Sequence, residues 1–130
     1  PSLAGTIHDV AADIERAGGR ALPLAVDIRD DDAVETAIRR AADHFGRIDG
    51  VINNASALHM ASTPDTPLKR YDLMMDVNMR GTFAVTRAAI PHLLESDRAA
   101  ILTLSPPLNP ATQWLGVSPA YTASKMGMSF

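Results

Sequence analysis

Tyr121 and Lys125 stand four residues apart in the run from Ala120 to Gly127. On a helix this spacing sets both side chains on one face, one turn apart. A free phenol holds its proton to about pH 10 and is a poor proton-transfer group near neutrality. An ammonium beside it favours the phenolate and brings acid–base work into range. Alone the pair is a weak signal, because most Tyr-x-x-x-Lys pairs are exposed helix faces. Asp27, Asn53-Asn54-Ala55-Ser56, Val77-Asn78 and Leu104-Ser105, all upstream, raise its weight.

The elements that must position these residues alternate along the chain. Ile7, Val10, Ala11, Ile14 and Ala17 recur at helical spacing, and Gly18-Gly19 ends the run, since glycine supplies the left-handed backbone after a helix. Ala21 to Val26 reads as a short buried strand, with Pro23 marking an edge position or the strand's start. Asp30-Asp31-Asp32 suits a helix N-terminus, capping free N–H groups and opposing the macrodipole. That helix carries Val34, Ala37, Ile38, Ala41, Ala42 and Phe45 on one face and stops at Gly46. Ile48 to Ile52 is a second strand. Thr66-Pro67 makes an N-cap and N1 pair ahead of a long helical region from Leu73 to Leu94, interrupted at Gly81 and bent near its end by Pro91. Ala99 to Leu104 is a third strand, and a loop leads from Ser105-Pro106 to Ser118-Pro119 and the Tyr121 helix. Alternating strands and helices argue an α/β domain with a parallel sheet. In such sheets ligands gather at the carboxyl ends of the strands, so Asp27, Asn53, Asn54 and Ser105 face one crevice with Tyr121.

The 130 residues amount to about one domain and are 46% hydrophobic, as globular proteins are. A formal charge of −3 and the lack of a basic run argue against a nucleic-acid surface. Without cysteine the chain has neither disulfides nor a thiolate metal site, which fits a reducing compartment. His8, His44, His59 and His92 lack metal-ligand spacing. No apolar stretch is long enough to span a bilayer, and no signal peptide is visible. The chain opens at Pro1 rather than at methionine and closes at Phe130 inside a helical pattern. We therefore expect residues 1–130 to be an internal part of a single domain, truncated at both ends.

Plainer roles exist for several of these residues. Asp27 can be a helix-start residue, and Asn53-Asn54 can be turn chemistry. Asn78 inside a helix is locally unfavourable and needs a reason. Met74, Met75, Met79, Met126 and Met128 read as core filler, whereas Trp114 and Leu115 are candidates for an apolar substrate wall.

In this order and spacing, Asp27, Asn53-Asn54-Ala55-Ser56, Val77-Asn78, Leu104-Ser105 and Tyr121-x-x-x-Lys125 resemble the short-chain dehydrogenase/reductase superfamily over the whole chain. Ala55-Ser56 where most members have Ala-Gly, the run from Leu73 to Thr82, and Ser105-Pro106-Pro107-Leu108-Asn109-Pro110 are similar to its hydroxysteroid dehydrogenase-like subgroup. The resemblance implies a partial Rossmann-type doubly wound parallel sheet, lacking the first strands and the C-terminal part. It implies an NAD(P)-dependent oxidoreductase that interconverts a hydroxyl and a carbonyl, with NADP as cofactor and NAD as the alternative. Tyr121 would be the general acid/base. Lys125 would favour its phenolate and hold the ribose hydroxyls of the nicotinamide half. Asn78 would kink its helix and hold a water that relays protons from Lys125. Asp27 and Ile28 would flank the adenine, Asn53 and Ala55 would line the cofactor, and Val77 would pack near the adenosine ribose.

One departure from the family concerns the serine that polarises the substrate oxygen. Pro106 occupies its usual place, and Ser105, one residue earlier, is the candidate, with another group as the alternative. The glycine-rich phosphate loop and the residue that separates NAD from NADP are not in the chain. By the family's topology the three strands here are its third, fourth and fifth, and the first two would lie between the third and the fourth. Alone, the 130 residues are then expected neither to fold stably nor to bind cofactor, because strand edges and apolar faces stand open. The expected partners of the whole protein are an apolar, lipid-like alcohol or ketone and further copies of itself, with no nucleic acid. Its expected location is cytoplasmic for a bacterial chain, and peroxisomal or mitochondrial for a eukaryotic one. Pro106 also supports the competing reading of a non-catalytic nucleotide-binding or regulatory protein on the same fold.

Overall fold

The computed structural model of the chain describes residues 5–106 and 112–130, the side chains of Thr112 and Trp114 excepted. Helix α1 spans Ile7–Arg16, and Thr6 and Asp9 form a reciprocal capping box at its start, satisfying two N–H groups that a helix leaves free. Helix α2 spans Asp31–Phe45, with the Asp30 carboxylate accepting from the Ala33 N–H at 3.1 Å. It ends at Gly46, whose φ of 84° is the left-handed conformation that stops a helix. Both helices follow the periodicity of the sequence. Ile7, Val10 and Ile14 on the apolar stripe of α1 nevertheless stay exposed, with only Ala11 buried.

Strands β1, Gly50–Asn53, and β2, Ala100–Thr103, pair in parallel, Gly50 opposite Ala100 and Asn53 opposite Thr103. Arg47 clasps Asp49 and Asp97 beside their amino ends, and Ser96 donates to Asp49 at 2.6 Å. Helix α4, Thr82–Leu93, packs on both strands and on α2. The core joins Val51, Ala89 and Leu93, with Ile38, Ile48 and Val85 against them. Full burial of a Leu93-sized side chain stabilises by about 1.5–3 kcal/mol. The strand residues alternate, Val51 and Asn53 inward, while Ile52 on the opposite face is 67% exposed.

The sequence expectations need four corrections. Residues 21–26 are not a buried strand: they have no ladder partner among the described residues, and Val26 is exposed. A strand is a paired state rather than a property of its own residues, and β1 and β2 pair with each other. Thr66 is not an N-cap; helix α3, Leu68–Met74, is capped at Pro67 without a side-chain bond, because the Thr66 hydroxyl donates back to the Ser62 carbonyl at 2.8 Å. The long helix is not interrupted at Gly81. It runs without a break from α3 through a π-helical segment, Met75–Gly81, into α4, which continues past Pro91. The loop before Tyr121 holds a further helix, α5, Thr112–Val117, ahead of α6, Pro119–Ser129. Helix α6 packs on the π segment and α3.

Candidate active site

Asn78 sits in the middle of the π segment and is fully buried. π turns are rare and occur mostly as local widenings of α-helices, often at functional sites. Its amide meets the backbone of Ala57 face to face: the Ala57 N–H donates to Oδ1 at 2.7 Å, and Nδ2 donates to the Ala57 carbonyl at 2.9 Å. The second Nδ2 proton goes to the Ser124 hydroxyl at 2.8 Å. Both amide protons are thereby used, and a water held by the Asn78 side chain would have to donate to Oδ1. The expected kink is a widened turn, and it brings the loop after β1 and helix α6 to one side chain.

Lys125 is 8% exposed, and its ammonium donates to the Leu104 carbonyl at 2.6 Å. It makes no ion pair among the described residues. Loss of water around the charge holds this ammonium below the ordinary lysine range. An ammonium carries three donors, and Leu104 takes one. The remaining N–H groups suit a hydroxyl-rich ligand such as a ribose. Tyr121 lies one turn earlier on α6, half-buried. Ser105 is half-buried just beyond β2, where the Leu104 N–H donates to Asn53 at 3.1 Å and that of Ser105 to Thr103 at 3.0 Å. The structure therefore brings Asn78, Leu104, Ser105, Tyr121 and Lys125 into one neighbourhood.

The expected cofactor wall is arranged less uniformly. Asn54, Ala55 and Ser56 are exposed in the loop leaving β1. Asn53 is buried and turned inward, its Nδ2 donating to the hydroxyls of Thr86 and Thr103 at 3.1 and 3.3 Å, so that its amide joins strand ends to α4. Val77 is half-buried beside Asn78. Asp27 lies exposed in irregular backbone rather than at a strand end. The Arg29 guanidinium donates to both its oxygens, and these bonds hold the Asp27 carboxyl at about 2. Ile28 rests on Gly81, and Arg80 donates to the Arg29 carbonyl at 3.0 Å and pairs with Asp31. The π segment thus touches the 27–31 turn through one end and Ala57 and Ser124 through its middle.

Two contributors escaped sequence reasoning. Ser124 had its signal in its place between Tyr121 and Lys125, and Gly81 in its presence within a helical run. Leu115 is 42% exposed. Residues 107–110 and the side chain of Trp114 lie outside the described residues. A hollow of about 510 Å³ between the π segment and the end of α6, lined by Met79, Phe83, Gly127 and Phe130 among others, contains none of the expected site residues. Among the described residues, no cluster of three His, Cys, Asp or Glu could hold a metal, and no helix is long and apolar enough to cross a membrane.

Hydroxysteroid dehydrogenase-like protein 2 of Rattus norvegicus is 50% identical over 129 residues, which are 99% of this chain and 25% of that protein. The Homo sapiens protein of the same name is also 50% identical, with 31% of its length covered. A solved short chain dehydrogenase of Mycobacterium thermoresistibile has a TM-score of 0.94 at 47% identity, over 99% of this chain and 46% of that one. Another from Burkholderia cenocepacia, in complex with NADP, has a TM-score of 0.81 at 30% identity, over 93% and 48%. The chain spans about a third or less of these curated relatives and just under half of these solved chains. Its helices and parallel strands are part of the Rossmann-type α/β fold that those structures share. The family model described as short chain dehydrogenase runs from residue 3 to residue 130, through both strands, the π segment and the Tyr121–Lys125 turn, and the chain belongs to that family.

Proposed function

We propose that the chain carries the proton-transfer centre of an NADP(H)-dependent oxidoreductase that interconverts a hydroxyl and a carbonyl on an apolar substrate. The observation that supports this best is a desolvated Lys125 ammonium, without a carboxylate partner among the described residues, one turn from Tyr121. In this reading Tyr121 gives a proton to the substrate oxygen or takes one from it. Lys125 favours the phenolate and holds ribose hydroxyls, and Asn78 fixes the loop and helix between which a relay water sits. Ser105 donates to the substrate oxygen. Asp27 and Ile28 flank the adenine, Val77 packs near its ribose, and Asn53 and Ala55 set the strand-end wall. A nicotinamide dinucleotide, when bound, supplies the hydride donor or acceptor. NADP is favoured over NAD by the family resemblance and by the NADP complex among the similar structures. The apolar substrate class rests on exposed Leu115 and on the relatives' name.

The test is Tyr121→Phe in the whole protein that carries this chain, assayed on unbranched ketones with NADPH. We expect turnover to fall at least a thousandfold while NADPH affinity stays within about threefold. Wild-type turnover in Tyr121→Phe would remove the mechanism. NADPH binding without turnover of any ketone or alcohol would favour the non-catalytic reading that Pro106 suggests.

A further inference from the structure

We propose that Ser124 is a positioning residue for the Tyr121–Lys125 turn, locking it through Asn78 to the π segment and to the loop after β1. The inference rests on the proton-transfer role given to Tyr121 above. Ser124 is fully buried. Its hydroxyl accepts from Asn78 Nδ2 at 2.8 Å and donates to the Tyr121 carbonyl at 2.8 Å. The hydroxyl proton and one lone pair are both engaged, which fixes its rotamer.

A buried helical serine commonly bonds back to its own preceding turn, and that habit accounts for the Tyr121 bond alone. The Asn78 bond crosses 46 residues of sequence and needs a hydroxyl at this position. Alanine is the better helix former, yet it would leave the second Asn78 amide proton without an acceptor in a dry interior, which is costly. Asn78 could recover a partner only by rotating, and rotation would break its paired contacts with Ala57. Ser124 therefore couples three backbones, those of α6, the π segment and the 54–60 loop, at the turn that carries the proton-transfer pair. It touches neither substrate nor cofactor in this role, so its effect passes through Tyr121 and Lys125. Catalytic groups need support of this kind to stay within a fraction of an ångström of productive geometry.

The experiment compares wild type, Ser124→Ala, Ser124→Thr and Tyr121→Phe in the whole protein, with NADPH and 2-alkanones of six to twelve carbons. The expected result for Ser124→Ala is a kcat at least tenfold lower with KM for NADPH within twofold, and recovery to within threefold of wild type in Ser124→Thr. Hydrogen exchange at the Ala57 amide is read in parallel and needs no substrate. It should speed up at least tenfold in Ser124→Ala and not in Ser124→Thr. Unchanged Ala57 exchange, or an unchanged kcat in Ser124→Ala beside an inactive Tyr121→Phe, overturns the positioning role alone. A fully active Tyr121→Phe removes the underlying mechanism, whatever Ser124 does.

Discussion

Asn78 and Ser124 share a buried hydrogen bond of 2.8 Å across 46 residues of sequence. Asn78 also pairs with both backbone groups of Ala57, so three segments depend on one amide. Asn78→Leu keeps a similar branched shape, though a larger volume, and strands the Ala57 N–H, the Ala57 carbonyl and one side of the Ser124 hydroxyl. We expect a loss of about 2–4 kcal/mol, measured by denaturant unfolding of the whole protein. A loss under about 0.5 kcal/mol would mean that water replaces the amide.

Gly81 lies under Ile28. A Cβ at position 81 would sit 2.6 Å from Ile28 Cδ1, 2.8 Å from its Cγ1 and 3.2 Å from the Asp76 carbonyl. The expected outcome for Gly81→Ala is a net loss of about 1–2 kcal/mol, overpacking outweighing the helix propensity that alanine adds. NADPH binding should weaken several-fold as Ile28 is displaced. Ile28→Ala in the same background should recover most of the stability. A double variant no more stable than Gly81→Ala would place the strain at Asp76 instead.

Lys125 gives a pH signature whose sign follows from burial. Its folded pKa lies below the ordinary 10.5, so between those values the unfolded chain binds more protons than the folded one. Stability then rises with pH across that window, and below it the folded state carries the full desolvation penalty. We expect the stability of wild type minus that of Lys125→Met to increase from neutral pH toward pH 10.5, read as a difference in Tm. A flat difference would argue that water reaches the ammonium.

Asp27 titrates in the opposite direction. Its hydrogen bonds to Arg29 hold the carboxyl at about 2 against an ordinary 3.8, so the stabilisation is present above 3.8 and fades as pH falls through about 2. In a ¹³C titration the Asp27 carboxyl should move toward its ordinary value in Arg29→Ala. High salt should move it the same way in the wild type, because the pair is exposed. An unshifted midpoint in Arg29→Ala would exclude the pair as the cause.

What the sequence made legible was local. The Asp30 cap, the Gly46 stop and the Tyr121–Lys125 spacing depend on neighbours within a few positions, and each stands as read. What it hid was relational. Residues 21–26 have strand composition but, among the described residues, no partner to make them a strand. Thr66 carries the chemistry of a cap and spends it on Ser62. Asn53 was legible as a strand-end polar residue, yet its inward turn toward Thr86 and Thr103 depends on where α4 crosses the sheet. The widened turn at 75–81 has no composition of its own. Asn78 hinted at it only through being a poor helix former.

The widened turn also fixes how many residues the chain must have here. An α-helix advances about 100° per residue, whereas the π segment spreads its seven residues over wider turns before α4 begins. Tightening the ladder to α geometry with all seven residues kept would rotate α4 by about a quarter-turn or slightly more. Thr86 would then swing away from Asn53, and Ala89 and Leu93 would leave Val51. Deleting one residue as the ladder tightened would bring α4 back to about its present phase, because the wide turns hold about one residue more than α turns of the same rotation. The segment sets the phase of two helices against each other, and its width and its length can change only together.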